Sequence, residues 1–379
     1  MLFELDDDQK MLAKAVRDFA REEILPHVMK WDEAQTFPRE LFTKMGEQGY
    51  LGVVVPEELG GAGMSYQDYV IIVNEISRIC PSIGLSVAAH NSLGTGHILA
   101  FGSEAIKKKY IPKLASGEWI AAWGLTEAGS GSDAASLKMT ATLDGDHYVL
   151  NGTKVFCTHA GVGQVVVVMV ITDKTKGKKG ITAFAVEIDG KSCRAGKKEN
   201  KLGMRASDTC ELIMEDCRVP VENRLGEEGQ GFVQAMQVLD GGRISIAANS
   251  LGCAWGAYDA ALKYAKERQA FGGPISQFQA VQFTLADMAT RIEAARLLTM
   301  KAAAERDAGV KGSMAPSFAK LYASELAVWA SERGVQIHGG YGYIKDFPAE
   351  KYYRDSKLLT IGEGTSEIQR LVIARELVK

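Results

Sequence analysis

Apolar residues along this chain change their spacing twice, which divides it into three stretches. Over residues 1–118 they recur three and four apart, the period of a helix with one buried face. Leu12, Val16 and Phe19 mark such a face, and Asp6 and Gln9 precede it at capping-box spacing. Pro26 ends or kinks that helix. Pro38 suits the first turn of a second helix, over 37–49, stopped by Gly49. Residues 59–63 read as a loop, and 65–79 and 84–101 as buried helices.

After Trp119 the period shortens. The runs 141–143, 147–150 and 153–156 are strand-like, and Asp144-Gly145 and Asn151-Gly152 are the dipeptides of hairpin turns between them. Residues 164–171 are β-branched and almost continuously apolar, which predicts a strand buried on both faces. A Lys-rich turn at 174–179 leads to a strand over 181–188, and a further strand covers 210–214. From Gly231 the helical period returns, over 278–308, 316–337 and 366–378, with few prolines, as in an antiparallel bundle. The expected organisation is α+β and multidomain: an all-α domain at 1–118, a β-sheet or barrel domain at 119–225, and a helical bundle domain at 226–379.

Composition narrows the function classes. A chain of 379 residues exceeds one ordinary core. A net charge of −3 argues against a general nucleic-acid surface, and the basic clusters 107–109, 174–179 and 197–201 read as solvated faces. The six cysteines form no CxxC pair and no cluster with histidine, so neither a metal site nor a disulfide scaffold is expected. No apolar run reaches bilayer length, and the acidic start MLFELDDDQK resembles neither a secretory signal nor a transit peptide. A cytoplasmic location is expected, or the mitochondrial matrix for a mature eukaryotic form.

The most informative segment lies near the C-terminus, where Glu363 stands between Gly362 and Gly364, just before a helix start with Ser366 and Gln369 at capping-box spacing. Glycines let the backbone approach a flat ligand closely, and a carboxylate there is suited to take a proton. A solvated acid on a Gly-rich turn has the same local sequence. Residues 123–134, WGLTEAGSGSDA, supply glycines and hydroxyls in a strand-to-strand loop, which is neither a Rossmann turn nor a P-loop. Strand alternation puts Phe156 and Thr158 on one face and Cys157 on the other. Arg268, Phe271 and Gln279 surround a helix end near Gly272-Gly273-Pro274, and an arginine fork suits a pyrophosphate.

Taken together, these blocks resemble the acyl-CoA dehydrogenase family. Residues 336–370 are similar to its C-terminal signature, 123–134 and 151–161 to its two flavin segments, and 239–248 and 267–279 to two further blocks, all in family order. The resemblance implies an N-terminal helical domain, a middle β domain and a C-terminal four-helix bundle, with FAD as cofactor. It implies that Trp123, Leu125, Thr126, Gly131, Ser132, Phe156 and Thr158 contact the flavin, and that Phe156 stands where many relatives carry Trp. Arg268, Phe271, Gln279, Gln336, Gly339, Gly340, Thr365 and Glu367 would complete the cofactor site. Arg268 and Gln279 would reach a neighbouring subunit's flavin, hence a homo-oligomer, as a tetramer. Ser132, Asp240, Arg243, Gly362 and Gly364 would border the acyl-CoA.

The implied reaction is α,β-dehydrogenation of a thioester. Glu363 takes the α-proton, the β-hydride goes to the flavin, and the Glu363 backbone N–H and a ribityl hydroxyl polarise the thioester oxygen. Burial beside ligand and cofactor would raise the Glu363 pKa toward working pH. Some relatives carry the base immediately before the arginine matched by Arg243; here that position is Gly242. Straight-chain members commonly have Tyr before the catalytic Glu, whereas Gly362 leaves volume for a short, branched or cyclic acyl group. An electron-transferring flavoprotein is the implied electron partner. Running in reverse with that partner, the chain would be an enoyl-CoA reductase. A non-catalytic assembly factor of the same fold would have lost residues that are present here.

Overall fold

The structure is a computed structural model that describes residues 4–378; Met1–Phe3 and Lys379 lie outside it. The first stretch is helical: α1 (Asp7–Phe19), α2 (Val28–Ala34), α3 (Arg39–Glu47), α4 (Tyr66–Ile79), α5 (Pro81–Ala89), α6 (Gly96–Phe101) and α7 (Glu104–Ala115). Asp6 and Gln9 cap α1 reciprocally. Pro26 follows a π turn, Ala20–Ile24, and sits in a 3₁₀ turn, so the chain kinks there without ending the helical path. A second π turn, His90–Thr95, interrupts the predicted 84–101 helix.

The middle stretch is an eight-stranded sheet: β1 (Ala121–Gly124), β2 (Thr140–Asp144), β3 (His147–Thr158), β4 (Val165–Ile171), β5 (Ile181–Glu187), β6 (Cys193–Lys198), β7 (Thr209–Pro220) and β8 (Arg224–Leu225). Their order is β6-β7-β3-β2-β4-β5-β8, with β1 parallel to β4. Residues 165–170 of β4 are buried on both faces, as their composition predicts. Asp144-Gly145 turns β2 into β3, with Gly145 at φ 63°.

Asn151-Gly152 does not turn the chain. It lies inside β3, at a register shift against β7, and Gly152 takes φ 144° where a Cβ would meet Met139. Pairing with β2 on one side and β7 on the other carries the strand through a local turn signal.

The last stretch holds α8 (Gly231–Glu267), α9 (Gln279–Asp307), α10 (Met314–His338), α11 (Ala349–Leu359) and α12 (Ser366–Leu377). Helix α8 continues unbroken through Gly241-Gly242. One buried cluster joins Val16, Ile72 and Ile76 of the first stretch to Ile244, Leu251, Ile292 and Leu326 of the last, so α4 and the bundle share a core. Helix α11 ties all three stretches together. Its Arg354 pairs with Asp32 at 2.7 Å and donates to the Leu202 carbonyl at 3.2 Å. Its Asp355 accepts from Lys351 and from the Met204 N–H in a fully buried cluster.

Candidate active site

Helix α11 ends at Leu359, and the next turn is fixed by Ile361 and Gly362 N–H groups donating to the Leu358 carbonyl at 2.8 and 2.9 Å. Glu363 then adopts φ 54° and Gly364 φ 94°. For a non-glycine residue this left-handed conformation costs about 1 kcal/mol or more and persists where its surroundings impose it. The helix cap is Thr365, whose hydroxyl accepts from the Ile368 N–H at 3.3 Å. Ser366 is therefore the first helical residue and not the cap. Gln369 does not close a capping box; its amide donates to the Glu363 and Gly364 carbonyls at 3.4 and 3.0 Å. Lys320 of α10 donates to the same Gly364 carbonyl at 2.7 Å.

This turn aims the Glu363 carboxylate at α8. A Cβ built on Gly242 would lie 1.8 Å from Glu363 Oε2 and 3.2 Å from Leu93 Cδ2, so the acid occupies space that only glycine leaves open. Oε2 is fully enclosed and has no hydrogen-bond partner among the described residues. Burial raises the Glu363 pKa to about 7, against the opposing charges of Lys320 and Arg243. Arg243 is itself buried; it pairs with Asp240 at 2.6 Å, its Nε has no partner among the described residues, and Asp240 also accepts from Ser313 at 2.9 Å. The Glu363 N–H makes no backbone hydrogen bond among the described residues. The two flanking glycines differ. Gly364 needs its positive φ, whereas a Cβ on Gly362 would meet only Leu358 at 3.7 Å or more.

The 123–132 loop is held by groups that sequence reasoning did not single out. The Trp123 indole donates to His97 Nδ1 at 3.1 Å; His97 Nε2 then faces Gln234 Oε1 at 3.2 Å, which fixes the Nε2–H tautomer. Burial lowers the His97 pKa to about 4, so the ring stays neutral. Lys154, fully buried on β3, donates to Glu127 at 2.7 Å and to the Leu125 carbonyl at 3.2 Å. Glu127 also accepts the N–H groups of Lys138 and Met139. Val155 N–H donates to the Thr126 carbonyl at 2.9 Å, which lays the loop along β3. Gly131 and Ser132 are exposed at the tip, with open space where a Gly131 Cβ would stand.

Phe156 does not sit on a regular pleat. The β3–β7 register shifts between Lys154 and Cys157, and Phe156 takes φ 57° with its ring 65% exposed. Cys157 points into the sheet core and Thr158 is half-buried.

A second group lies at the far end of α8. Arg268 caps that helix, and its guanidinium sits over the Tyr341 ring at 5.6 Å. It lines a cleft of about 500 Å³ with Tyr264, Ile275, His338, Gly339 and Gly340. Neither Glu363 nor any residue of 123–132 lines this cleft. Phe271, at φ 53° and 98% exposed, and Gln279, the exposed first residue of α9, stand beside Arg268 in sequence; Gln336 is exposed near the end of α10, and Glu367 in the first turn of α12. His338 is buried, stacks on Tyr264 at 4.3 Å and bonds the Gly334 carbonyl, so it serves packing.

Sequence models of the acyl-CoA dehydrogenase N-terminal, middle and C-terminal domains match residues 6–118, 122–217 and 229–378. The chain belongs to the acyl-CoA dehydrogenase family. Like other members, it is an oxidoreductase of a flavoprotein family, built from two helical regions around a sheet. It is 45% identical over 379 residues, covering 100% of both chains, to the short-chain specific acyl-CoA dehydrogenase of Clostridium acetobutylicum. The butyryl-CoA dehydrogenase of Megasphaera elsdenii superposes with a TM-score of 0.98 at 39% identity, covering 100% of both chains. A chain from work on the electron transferring flavoprotein of Acidaminococcus fermentans superposes with a TM-score of 0.98 at 46% identity, also covering 100% of both.

Proposed function

We propose that this acyl-CoA dehydrogenase oxidises a short-chain acyl-CoA thioester between its α and β carbons, with Glu363 as the general base. The observation that carries this reading is the Glu363 carboxylate, enclosed over Gly242, unpartnered at Oε2 and with its pKa near 7. A base works best when its pKa lies near the operating pH. The names of the similar proteins, short-chain specific and butyryl-CoA, support the chain length.

The α-hydrogen of a thioester is a weak acid, so charge developing on the thioester oxygen needs a donor. The Glu363 N–H, unused by its own turn, supplies one. Left-handed backbone at Glu363 lets N–H and carboxylate of one residue act together, on the oxygen and the α-proton. Arg243 and Asp240 border the thioester, and Gly362 leaves room for a branch at the β-carbon. The residues present fit FAD. Phe156 offers an exposed ring, Thr158 a half-buried hydroxyl beside it, and Trp123 an indole fixed by His97. Bound there, FAD supplies the acceptor for the β-hydride. Arg268 and the open Gly339-Gly340 cleft suit the pyrophosphate end of a neighbouring subunit's cofactor.

An electron-transferring flavoprotein is the proposed electron partner, on the likeness to the Acidaminococcus fermentans chain. The proposed assembly is a homotetramer. The test is Glu363→Gln, which keeps shape and removes the base. Flavin should stay bound, and its reduction by butyryl-CoA should slow ~10²–10⁴-fold in stopped flow. Near-normal reduction would place the base elsewhere.

A further inference from the structure

Lys320 has no part in the reaction as proposed above, yet its setting is unusual. It lies within α10 with 0% of its surface exposed. Burying an ammonium is costly unless something nearby needs the charge. Among the described residues no carboxylate lies within ion-pair distance of its Nζ. Its short contact is the Gly364 carbonyl at 2.7 Å, the residue directly after Glu363 in the left-handed turn.

The charged groups facing Lys320 are Glu363, Arg243, Glu325 and Glu367. Glu325 is taken by Arg370 at 2.8 Å, Arg243 by Asp240, and Glu367 is exposed. Of these, the buried carboxylate with no ion pair among the described residues is Glu363. The charges facing Glu363 are in turn Lys320 and Arg243, with the buried phenol of Tyr69 nearby.

We propose that Lys320 is the positioning residue of this active site: its ammonium fixes the turn through the Gly364 carbonyl and holds the Glu363 carboxylate in its ionised, proton-accepting form. This rests on the reading of Glu363 as base. Burial brings the Lys320 pKa down to about 8, still high enough for a cation at neutral pH. Without that cation, desolvation of Glu363 is opposed by Arg243 alone, and the carboxyl titrates higher.

Two variants of the holoenzyme separate the parts. Lys320→Gln keeps an N–H donor and removes the charge. Lys320→Met removes both, and its apolar chain of similar length carries no folding penalty for a buried charge. Difference infrared titration, with Glu363→Gln as blank, reads the Glu363 carboxyl directly. It should move up by about one pH unit in both variants. Flavin reduction should then be about fivefold slower at pH 7 and recover toward wild type by pH 9. Lys320→Met should add a pH-independent loss from the loosened turn. An unmoved carboxyl titration in both variants, or a loss equal at every pH in both, overturns the inference. If Lys320→Gln does not fold, Lys320→Met decides alone. Rapid flavin reduction by Glu363→Gln would instead sink the base assignment, a result distinct from inert Lys320 variants beside a dead Glu363→Gln.

Discussion

A single missing methyl group explains how an acid can sit in the middle of a helix bundle. Gly242 lies inside α8, where alanine would favour the helix by about 1 kcal/mol, yet a Cβ would stand 1.8 Å from Glu363 Oε2. Gly242→Ala should therefore leave thermal stability near wild type while lowering kcat at least tenfold, read by paired melting and steady-state assays. The same carboxyl makes stability depend on pH. Its folded pKa, about 7, lies above the ordinary 4.5, so the folded state holds the proton more tightly. That contribution is full below about pH 4.5 and is lost as pH rises through 7. Glu363→Gln should accordingly melt higher than wild type at pH 8, by up to about 3 kcal/mol in stability, and equally at pH 4.5. Gly362 poses the substrate question: a side chain fits there without backbone strain. Gly362→Tyr should cost isovaleryl-CoA about tenfold more kcat/KM than butyryl-CoA. An equal loss for both would place selectivity elsewhere.

Among the elements, β3 does the most to build the site. It carries Phe156 on its bulge and Lys154 beneath the 123–132 loop, and the buried Lys154–Glu127 pair pins that loop through two backbone N–H groups and one carbonyl. Removing one partner of such a pair typically costs ~3 kcal/mol. Lys154→Met should lower the melting temperature and weaken FAD binding, measured by flavin release, while the Glu363 infrared signature stays in place. Much of this was legible beforehand. The capping box at Asp6, the doubly buried strand at 165–170 and the Glu363 turn all follow from local pattern. What escaped was decided by distant partners. Asn151-Gly152 reads as a turn until β7 pairs across it, and the cap at Thr365 depends on how α11 delivers the chain. Strand β1 spans only four residues, too few for a period of its own to show. Lys320, His97 and Lys154 look like ordinary polar residues in sequence; burial alone reveals their work.

At the scale of the molecule, α11 braces three parts of the chain with buried charges, so Arg354→Met should destabilise all three together, as one cooperative melting step at lower temperature by calorimetry. Helix α8 sets a longer dimension. Gly242 lies 26 residues before Arg268, the residue that caps the unbroken α8, roughly 39 Å along the chain at the helical rise of 1.5 Å per residue. A ligand lying against Glu363 would need that reach to touch the same chain's Arg268. If each copy instead lends its Arg268 end to a neighbour, the chain behaves in a cell as two separable halves of a function. Two defective versions, Glu363→Gln and Arg268→Met, then rescue each other when co-expressed. A mixed pair rebuilds one intact site from two damaged subunits, about a quarter of wild-type activity on random pairing. No gain over the separate variants would mean that every copy keeps its own chemistry to itself.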